Sequence, residues 1–394
     1  MRKAILFSLC SASALMAGFS EHAYLYKDAR IMGMGGSNVA VGGYSTSVFH
    51  NPAGILNIKK SHGLEVELLG LSVQASEKAQ DFADDIDAAG SDAQSVSDVL
   101  KKYSGEHFNI NVSNYSSVTN NTDSFAWSMG FLAAGDANFI AHGNGGANDL
   151  VETHSRAYGG LIAAFATRFE NVGPGSLDVG IGGKVISQQS YEGGIGITEI
   201  VDNQDNLGTY LQDKYEKKSK GYGLDLGLTY KLFPNSYWHP AFGLSVLNIG
   251  DMKMDEHYGK QPMTVNIGAS ISPEVAFLEH LIIAVDYVDL LNANETRFYE
   301  FTQTAGTVTD VAYQDFEETD FMKRLRLGLS AGILDNSWFM ATLNAGLYQG
   351  EYTLGVDMQA TLVKFGFATY AEEIGPEVGD LTDRRYMLTL GVGW

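Results

Sequence analysis

Hydrophobic and polar residues alternate along many segments of the chain, which is the pattern of β-strands whose two faces meet different surroundings. In the segment 222–232, Tyr222, Leu224 and Leu226 share one face, whereas Asp225 lies on the opposite face. These segments are longer than the about five or six residues that are common in the strands of soluble sandwiches. Long strands with an apolar face outside and a polar face inside are typical of transmembrane β-barrels.

The alternating segments predict fourteen strands. They cover residues 62–76, 107–119, 123–135, 156–169, 175–190, 219–233, 237–249, 262–273, 279–291, 322–334, 337–349, 351–360, 361–372 and 384–394. Short and long connections alternate between them, with one exception near Gln349 and Gly350. Short periplasmic turns and long outer loops produce such an alternation, and an even number of strands brings both ends of the barrel to one side. We therefore predict an all-β fold, a 14-stranded antiparallel transmembrane β-barrel in the outer membrane of a Gram-negative bacterium.

The first twenty residues have the features of a secretory signal peptide. Arg2 and Lys3 precede the apolar stretch 4–17, which is too short to span a membrane. The single cysteine, Cys10, lies inside this stretch, so a lipid-anchored cysteine is an alternative. We predict a signal peptide over residues 1–20 and a mature protein without thiols.

The segment before the first strand does not alternate and is rich in small residues. Small residues allow a backbone to pack closely against its neighbours, and a barrel of fourteen strands leaves a lumen to be filled. We therefore predict that residues 21–61 form a lumenal hatch and residues 62–394 the barrel. The candidate hatch residues are Gly33, Gly35, Gly36, Asn51, Pro52, Ala53 and Gly54. A plain turn is the alternative for the last four.

Charged residues on the polar strand faces are expected to line the lumen and to hold the hatch through ion pairs and water. They are Asp178, Lys184, Asp225, Lys231, Asp286, Arg324, Arg326 and Asp357. We interpret these side chains as structural and not as catalytic groups.

The residues 28–56, "DARIMGMGGSNVAV" followed by "VFHNPAGIL", resemble the N-terminal hatch of the FadL-like family of outer-membrane barrels. That resemblance implies a fold of fourteen strands and the passage of long-chain fatty acids and other hydrophobic compounds. Within this superfamily, the glycine-rich lead and the acidic first loop at 79–104 are most similar to the TraF-like conjugal-transfer proteins. The resemblance implies the scaffold more directly than the cargo.

Two long loops show apolar residues at helical spacing. We expect these residues to pack on the barrel rim, or alternatively to form a groove that captures hydrophobic ligands at the cell surface. The candidate capture residues are Phe82, Ile86, Leu100, Tyr103, Leu207, Tyr210 and Leu211.

The last strand places an apolar row on its outer face and ends on an aromatic residue. The row comprises Tyr386, Leu388, Leu390, Val392 and Trp394. It resembles the C-terminal signal that outer-membrane assembly machinery recognises in many barrels. An ordinary final strand with a chance tryptophan is the alternative.

Composition narrows the range of functions. The net charge of −21 argues against a nucleic-acid partner. The sequence "GMGGSN" departs from the dinucleotide-binding pattern, because Asn38 occupies the position of the third glycine. The nine histidines show no metal-ligand spacing, and no Ser/His/Asp set stands out. We predict no enzymatic activity, no cofactor and no metal.

The predicted function is a passive outer-membrane channel for hydrophobic small molecules, similar to fatty acids. Its expected partners are outer-membrane lipid, the hydrophobic cargo and the assembly machinery. The alternative is a TraF-like structural or interaction protein that contacts conjugation or secretion components. An outer-membrane hydrolase is a third hypothesis, and it would require a Ser/His pair at the aromatic girdle that the sequence does not offer.

Overall fold

A computed structural model describes residues 24–58, 64–122, 124–203, 206–254 and 261–394. Fourteen antiparallel strands close into a barrel, and each pairs with its neighbour in sequence until the last strand pairs with the first. The barrel strands are β1 Leu64–Ser76, β2 His107–Asn121, β3 Phe125–His142, β4 Leu150–Val172, β5 Gly175–Gly196, β6 Lys217–Leu232, β7 Ala241–Leu247, β8 Thr264–Ile271, β9 His280–Tyr287, β12 Leu325–Asp335, β13 Phe339–Tyr348, β14 Glu351–Ala360, β15 Val363–Glu373 and β16 Thr382–Gly393. The predicted fold class is confirmed. The predicted signal peptide lies outside the described residues.

The two faces of the strands have opposite character, as the alternation predicted. Along β6, Tyr222 is 68% exposed and Leu224 is 44% exposed, whereas Asp225, on the opposite face of the strand, is 1% exposed. On β12, Leu329 faces outward while Arg326 and Ser330 are buried. An apolar exterior around a polar interior is what lipid outside and a filled lumen inside require.

Helices and a hairpin occupy the connections at the long-loop end. The helices are α2 Ala79–Ala89, α3 Ala93–Lys102, α4 Ile197–Asp202, α5 Leu207–Tyr215 and α6 Phe321–Arg324. The Asp92 side chain begins α3 by accepting a hydrogen bond of 2.8 Å from the backbone of Ser95. The structure differs from the sequence prediction at the connection 292–321, which contains strands β10 Glu295–Thr304 and β11 Thr307–Glu317 as a separate two-stranded sheet.

The one short connection at the long-loop end is a two-residue turn. Gln349 and Gly350 join β13 to β14, and both have positive φ angles, +50° and +83°. Such angles give the turn a twist that matches the flanking strands.

Within the described residues, no helix has the length and apolar character needed to cross a membrane.

The residues before β1 form a compact segment without strands. It contains the helix α1 Ala29–Gly33 and two 3-10 turns, Ser45–Phe49 and Pro52–Asn57. The Asp28 side chain caps α1 through the backbone N–H of Arg30 at 2.9 Å. We call residues 24–58 the hatch, because their contacts described below lie on the inner wall of the barrel.

Candidate functional site: the hatch in the barrel lumen

The hatch contacts the inner wall on several sides. Tyr24, at its beginning, packs with Leu247 and Val288 at the long-loop ends of β7 and β9. At its other end, the carbonyl of Ile58 accepts a hydrogen bond of 2.9 Å from Asn121, at the short-turn end of β2. The hatch therefore extends along the lumen from the long-loop end towards the short-turn end.

Asn51 fastens the hatch to itself and to the wall. Its side-chain amide donates to the carbonyl of Val39 at 2.7 Å within the hatch and to the carbonyl of Leu228 on β6 at 3.0 Å. Its side-chain oxygen accepts from the backbone N–H of Ala53 at 3.0 Å. The asparagine is fully buried, so these bonds replace those that water would make.

Asp286, on β9, holds the middle of the hatch. One carboxylate oxygen accepts hydrogen bonds from the backbone N–H groups of Asn38 at 2.6 Å and Val39 at 2.8 Å. The carboxylate is fully buried. Because one carboxylate accepts both of these hydrogen bonds, Asp286 is a second point of attachment, three strands away from the contact of Asn51 with β6.

The predicted hatch glycines lie where the backbone comes closest to the wall. A Cβ at Gly33 would lie 2.9 Å from the Cα of Gly355, and one at Gly36 would meet the ring of Tyr348 at 3.0 Å. Gly35 has a φ of +65°, and a Cβ there would lie 2.2 Å from the carbonyl oxygen of Leu327. These positions exclude larger side chains on steric grounds.

The Asn-Pro-Ala-Gly segment is seated in a recess of β5 and β6. A Cβ at Gly227 would lie 2.0 Å from Asn51 Oδ1 and 2.8 Å from Pro52, and one at Gly180 would lie 2.4 Å from the backbone nitrogen of Ala53. Gly54 faces Gly42, whose added Cβ would lie 2.5 Å from the Cα of Gly54. The segment is therefore both a turn and a point of contact with the wall.

The site also includes glycines of the barrel wall, which the sequence analysis did not identify as contacts of the hatch. Those whose added Cβ would collide with the hatch are Gly180, Gly227, Gly243, Gly328, Gly346 and Gly355. The signal was present, because these glycines occupy the inward positions of alternating strands. Their absent side chains create the space in which the hatch lies.

Ion pairs add to this attachment. Lys27 Nζ lies 2.8 Å from Glu372 Oε1 on β15, and Arg385 on β16 binds the same carboxylate at 2.6 Å. Arg30 Nε lies 3.8 Å from Asp357 and its guanidinium stacks over the ring of Tyr44 at 3.9 Å. The hatch thus contributes two cations to a wall that is rich in carboxylates.

The charges predicted to line the lumen fall into two groups. Asp286 and Asp357 contact the hatch, as described above, and Lys231 donates to Asn57. The others make contacts within the wall: Lys184 lies 2.9 Å from Asp225, Asp178 pairs with Arg168 and also with Lys231, Arg324 contacts Asp289, and Arg326 lies over the ring of Tyr348.

One sector of the lumen is apolar. Inward residues of β2 to β5, among them Tyr115, Leu132 and Ile162, form a buried cluster with the hatch residues Leu25 and Phe49. The rings of Phe49 and Tyr115 meet edge to face, with centroids 4.9 Å apart. A barrel interior that served only water and ions would have polar residues here.

A cavity of about 1480 Å³ lies between the hatch and the wall at the short-turn end. Its lining includes Tyr26, Arg30 and Tyr44 of the hatch, and Glu67, Trp338 and Trp394 of the barrel. The volume exceeds that of most small-molecule pockets, which reach about 1,000 Å³. The cavity combines aromatic rings with charged groups that are already paired, such as Glu67 with Lys364.

The candidate capture residues of the outer loops lie in packed clusters. Leu100 and Tyr103 are buried with Phe108 of β2, and Phe82 and Ile86 pack against this cluster. Leu211 is buried against β3 and β5, with Leu207 beside it, and the Tyr210 hydroxyl donates to Glu199. These contacts are of the kind that packing on the barrel rim requires.

Within the described residues, no group of three or more His, Cys, Asp or Glu side chains has an arrangement that could hold a metal ion.

The outward row of β16 is exposed on the barrel surface, with Tyr386, Leu388 and Leu390 facing lipid. Trp394 exchanges backbone hydrogen bonds with Val66 of β1 at 2.8 and 3.0 Å, which closes the barrel.

Comparison with known proteins identifies the fold. No family model and no curated protein matches the chain. Among solved structures, the toluene transporter TbuX of Ralstonia pickettii is similar with a TM-score of 0.54 and 12% identity, over 93% of this chain and 97% of that one. The toluene transporter TodX of Pseudomonas putida is similar with a TM-score of 0.50 and 10% identity, over 96% and 98%. At this identity the likeness concerns the fold alone.

These similarities support the predicted barrel fold of fourteen strands, whereas the resemblance to TraF-like proteins finds no support in them. The closed barrel, its apolar exterior and the filled lumen agree with the architecture of outer-membrane proteins. The chain is a 14-stranded outer-membrane β-barrel whose lumen holds an N-terminal hatch.

Proposed function

We propose that the protein is a passive channel, and not an enzyme, for the uptake of hydrophobic small molecules across the outer membrane. The observation that carries this proposal is the apolar sector of the lumen, where Leu132 and Ile162 of the wall meet Phe49 of the hatch. Apolar cargo gains free energy from such a surface, about 25 cal/mol for each Å² of apolar area removed from water. The similarity in fold to two toluene transporters supports the same class of cargo.

Passage requires the hatch to move. The hatch is attached by hydrogen bonds, ion pairs and close packing, all of which are reversible, through Asn51, Asp286 and Lys27. We infer that cargo enters along the apolar sector, displaces part of the hatch and collects in the cavity at the short-turn end. From there it leaves through the lumen or the wall, without energy input.

The cargo is tested by uptake of radiolabelled toluene, oleate and a hydrophilic sugar into cells that express the protein. Ile162→Thr should lower uptake of the two hydrophobic compounds and leave the sugar unchanged, because it places a hydroxyl in the apolar sector. Leu161→Thr is the matched control, since Leu161 is 61% exposed on the outer face and its neighbour Ile162 is buried inside. Toluene uptake without oleate uptake would exclude the fatty-acid-like cargo.

The TraF-like alternative gives a different result. A structural role in conjugation would leave uptake of every compound at the level of cells without the protein, and loss of the protein would reduce plasmid transfer. Uptake of the sugar alone would indicate a general pore and would contradict the proposal.

We also propose that assembly machinery recognises the outward row that ends in Trp394. Trp394→Ala should lower the amount of heat-modifiable barrel in the outer membrane, since the final strand loses its terminal aromatic residue. Trp338→Ala is the matched control, because Trp338 is also an exposed tryptophan at the short-turn end. An equal effect of both substitutions would show that Trp394 acts only as part of the aromatic girdle.

A further inference from the structure

The strands β10 and β11 form a separate two-stranded hairpin that is not part of the barrel wall. Its base lies between β9 and β12. There the Asp289 carboxylate accepts hydrogen bonds from the backbone of Ala293 at 2.9 Å and Asn294 at 2.8 Å, and Arg324 contacts the same carboxylate. Lys323 Nζ lies 2.7 Å from Glu318 on the returning chain. The base is therefore fixed to the rim by charged groups on both of its chains.

The middle of the hairpin contacts a distant part of the rim. Arg297 lies 3.1 Å from Glu192 on β5, and the Tyr299 hydroxyl donates to the same carboxylate. The ring of Tyr299 lies over His154 on β4, with centroids 4.2 Å apart. Because β8, β7 and β6 separate β9 from β5 around the barrel, the hairpin crosses the mouth as a chord.

The tip of the hairpin is fastened to the loops beyond β3 and β5. The backbone of Thr198 donates to the carbonyl of Gly306 at 3.2 Å, and the Thr198 hydroxyl donates to the carbonyl of Ala305 at 3.1 Å. Gln303 donates to the carbonyl of Asn148 at 3.2 Å. Each of these contacts involves only one or two hydrogen bonds.

Glu199 is the centre of the attachment at the tip. Its carboxylate accepts hydrogen bonds from the backbone N–H groups of Val308 at 2.8 Å and Gly196 at 2.9 Å, and from Lys214 and Tyr210. Burial acts to raise the pKa of this carboxyl, but Lys214 and the other donors hold that pKa below its ordinary value. Glu199 therefore stays ionised at neutral pH and joins the hairpin to α4 and α5.

The hairpin has the internal support to move as one body. Its two strands pair from Glu295 with Glu317 to Thr304 with Thr307. On the face directed away from the barrel, the rings of Phe298 and Phe316 meet edge to face with centroids 5.2 Å apart. Cross-strand aromatic pairs of this kind stabilise a hairpin independently of what lies beneath it.

We propose that the hairpin β10–β11 is a lid that swings about its base and controls access to the lumen from the long-loop end, with Glu199 as the latch at its tip. The entry of hydrophobic cargo through the lifted lid rests on the proposed function. The control of access to the lumen does not depend on what the cargo is. A lid at the outer mouth and a hatch in the lumen place two closures in series along the path.

A disulfide at the tip tests the lid directly. A Cβ at Gly306 would lie 3.1 Å from the Cβ of Thr198, close to the separation of about 3.5 to 4.5 Å found in disulfides. We combine Thr198→Cys and Gly306→Cys with Cys10→Ser, which removes the chain's single cysteine. The single-cysteine variants are the controls for any strain that arises at Gly306.

Access is measured without transport, by labelling a cysteine under the lid with a membrane-impermeant maleimide on intact cells. The reporter is His154→Cys, since His154 is buried beneath Tyr299. Glu199→Ala should label about tenfold faster, as expected from the loss of hydrogen bonds to a charged group. With the reporter absent, the oxidised double variant should lose toluene and oleate uptake, and reduction should restore it to the level of the single variants.

The lid would be overturned if the reporter is labelled at the same rate with Glu199 present as with Glu199→Ala. Full uptake by the oxidised double variant would also overturn it. Faster labelling in Glu199→Ala, with no hydrophobic uptake by any variant, would support the lid and contradict the proposed function. Heat-modifiability of each variant shows whether the barrel has assembled.

Discussion

Deletion of residues 24–58 should convert a closed barrel into an open, water-filled pore, with a large increase in single-channel conductance and in sensitivity to antibiotics. The hatch fills the lumen between Tyr24 at one end and Ile58 at the other. A closed barrel of fourteen strands is wide enough to leave an aqueous passage once nothing lies inside it.

The barrel should still assemble without the hatch. Every barrel strand is hydrogen-bonded to two neighbouring strands, and β1 pairs with β16 along most of its length. The deletion removes none of these bonds. The measurements are heat-modifiability for assembly and planar-bilayer recording for conductance.

Removal of residues 79–102 is the matched control. This segment carries the helices α2 and α3, lies outside the barrel wall and packs against β2 and β3. Its loss should leave conductance low, because the hatch remains in place. An assembled barrel with unchanged conductance after deletion of the hatch would show that residues 24–58 do not close the lumen, and would favour the interaction-protein alternative.

Strand periodicity was the part of the fold that the sequence could predict. Each of the fourteen predicted strands corresponds to one barrel strand, because lipid outside and a polar lumen inside impose opposite requirements on successive residues. Periodicity did not predict the strands of the hairpin β10–β11. Its outward face mixes Phe298 with Glu300 and Thr302, so no apolar row marks it as a strand.

The site was predictable in composition but not in its contacts. The hatch glycines and Asn51 could be named from the sequence, since small residues and an Asn-Pro turn have local signatures. Their partners could not, because Gly227 and Asp286 are far from them in the chain and meet them only when the barrel closes. Helical spacing in the outer loops likewise showed apolar faces without showing that Leu100 and Leu211 are covered.

Asp286→Ala should loosen the hatch while the barrel remains intact. The substitution removes the acceptor for the backbone N–H groups of Asn38 and Val39, which are held at 2.6 and 2.8 Å in a buried setting. Loss of a hydrogen bond to a charged group costs about 1.5 to 3 kcal/mol, which corresponds to an increase of about 10-fold to 150-fold in the population of the detached hatch. Short openings in planar-bilayer recordings should become more frequent by a similar factor.

Asp286→Asn is the matched control, because its side-chain oxygen can still accept both hydrogen bonds without the negative charge. It should open much less often than Asp286→Ala. Asn51→Ala should also increase openings, since it leaves the carbonyls of Val39 and Leu228 without their side-chain donor. It should lower uptake of a hydrophobic compound with little effect on barrel assembly, because a detached hatch no longer presents Phe49 to the apolar sector.

The double variant Asp286→Ala/Asn51→Ala tests whether the hydrogen bonds of these two side chains hold the hatch, or whether other contacts with the wall do. The two side chains bind neighbouring parts of one short segment, and both contact Val39: Asp286 through its N–H and Asn51 through its carbonyl. Release at one point should therefore weaken the other, so the double variant should open less often than the product of the single effects predicts. Openings equal to those of the native protein in all three variants would show that packing against the wall glycines, and not these hydrogen bonds, keeps the lumen closed.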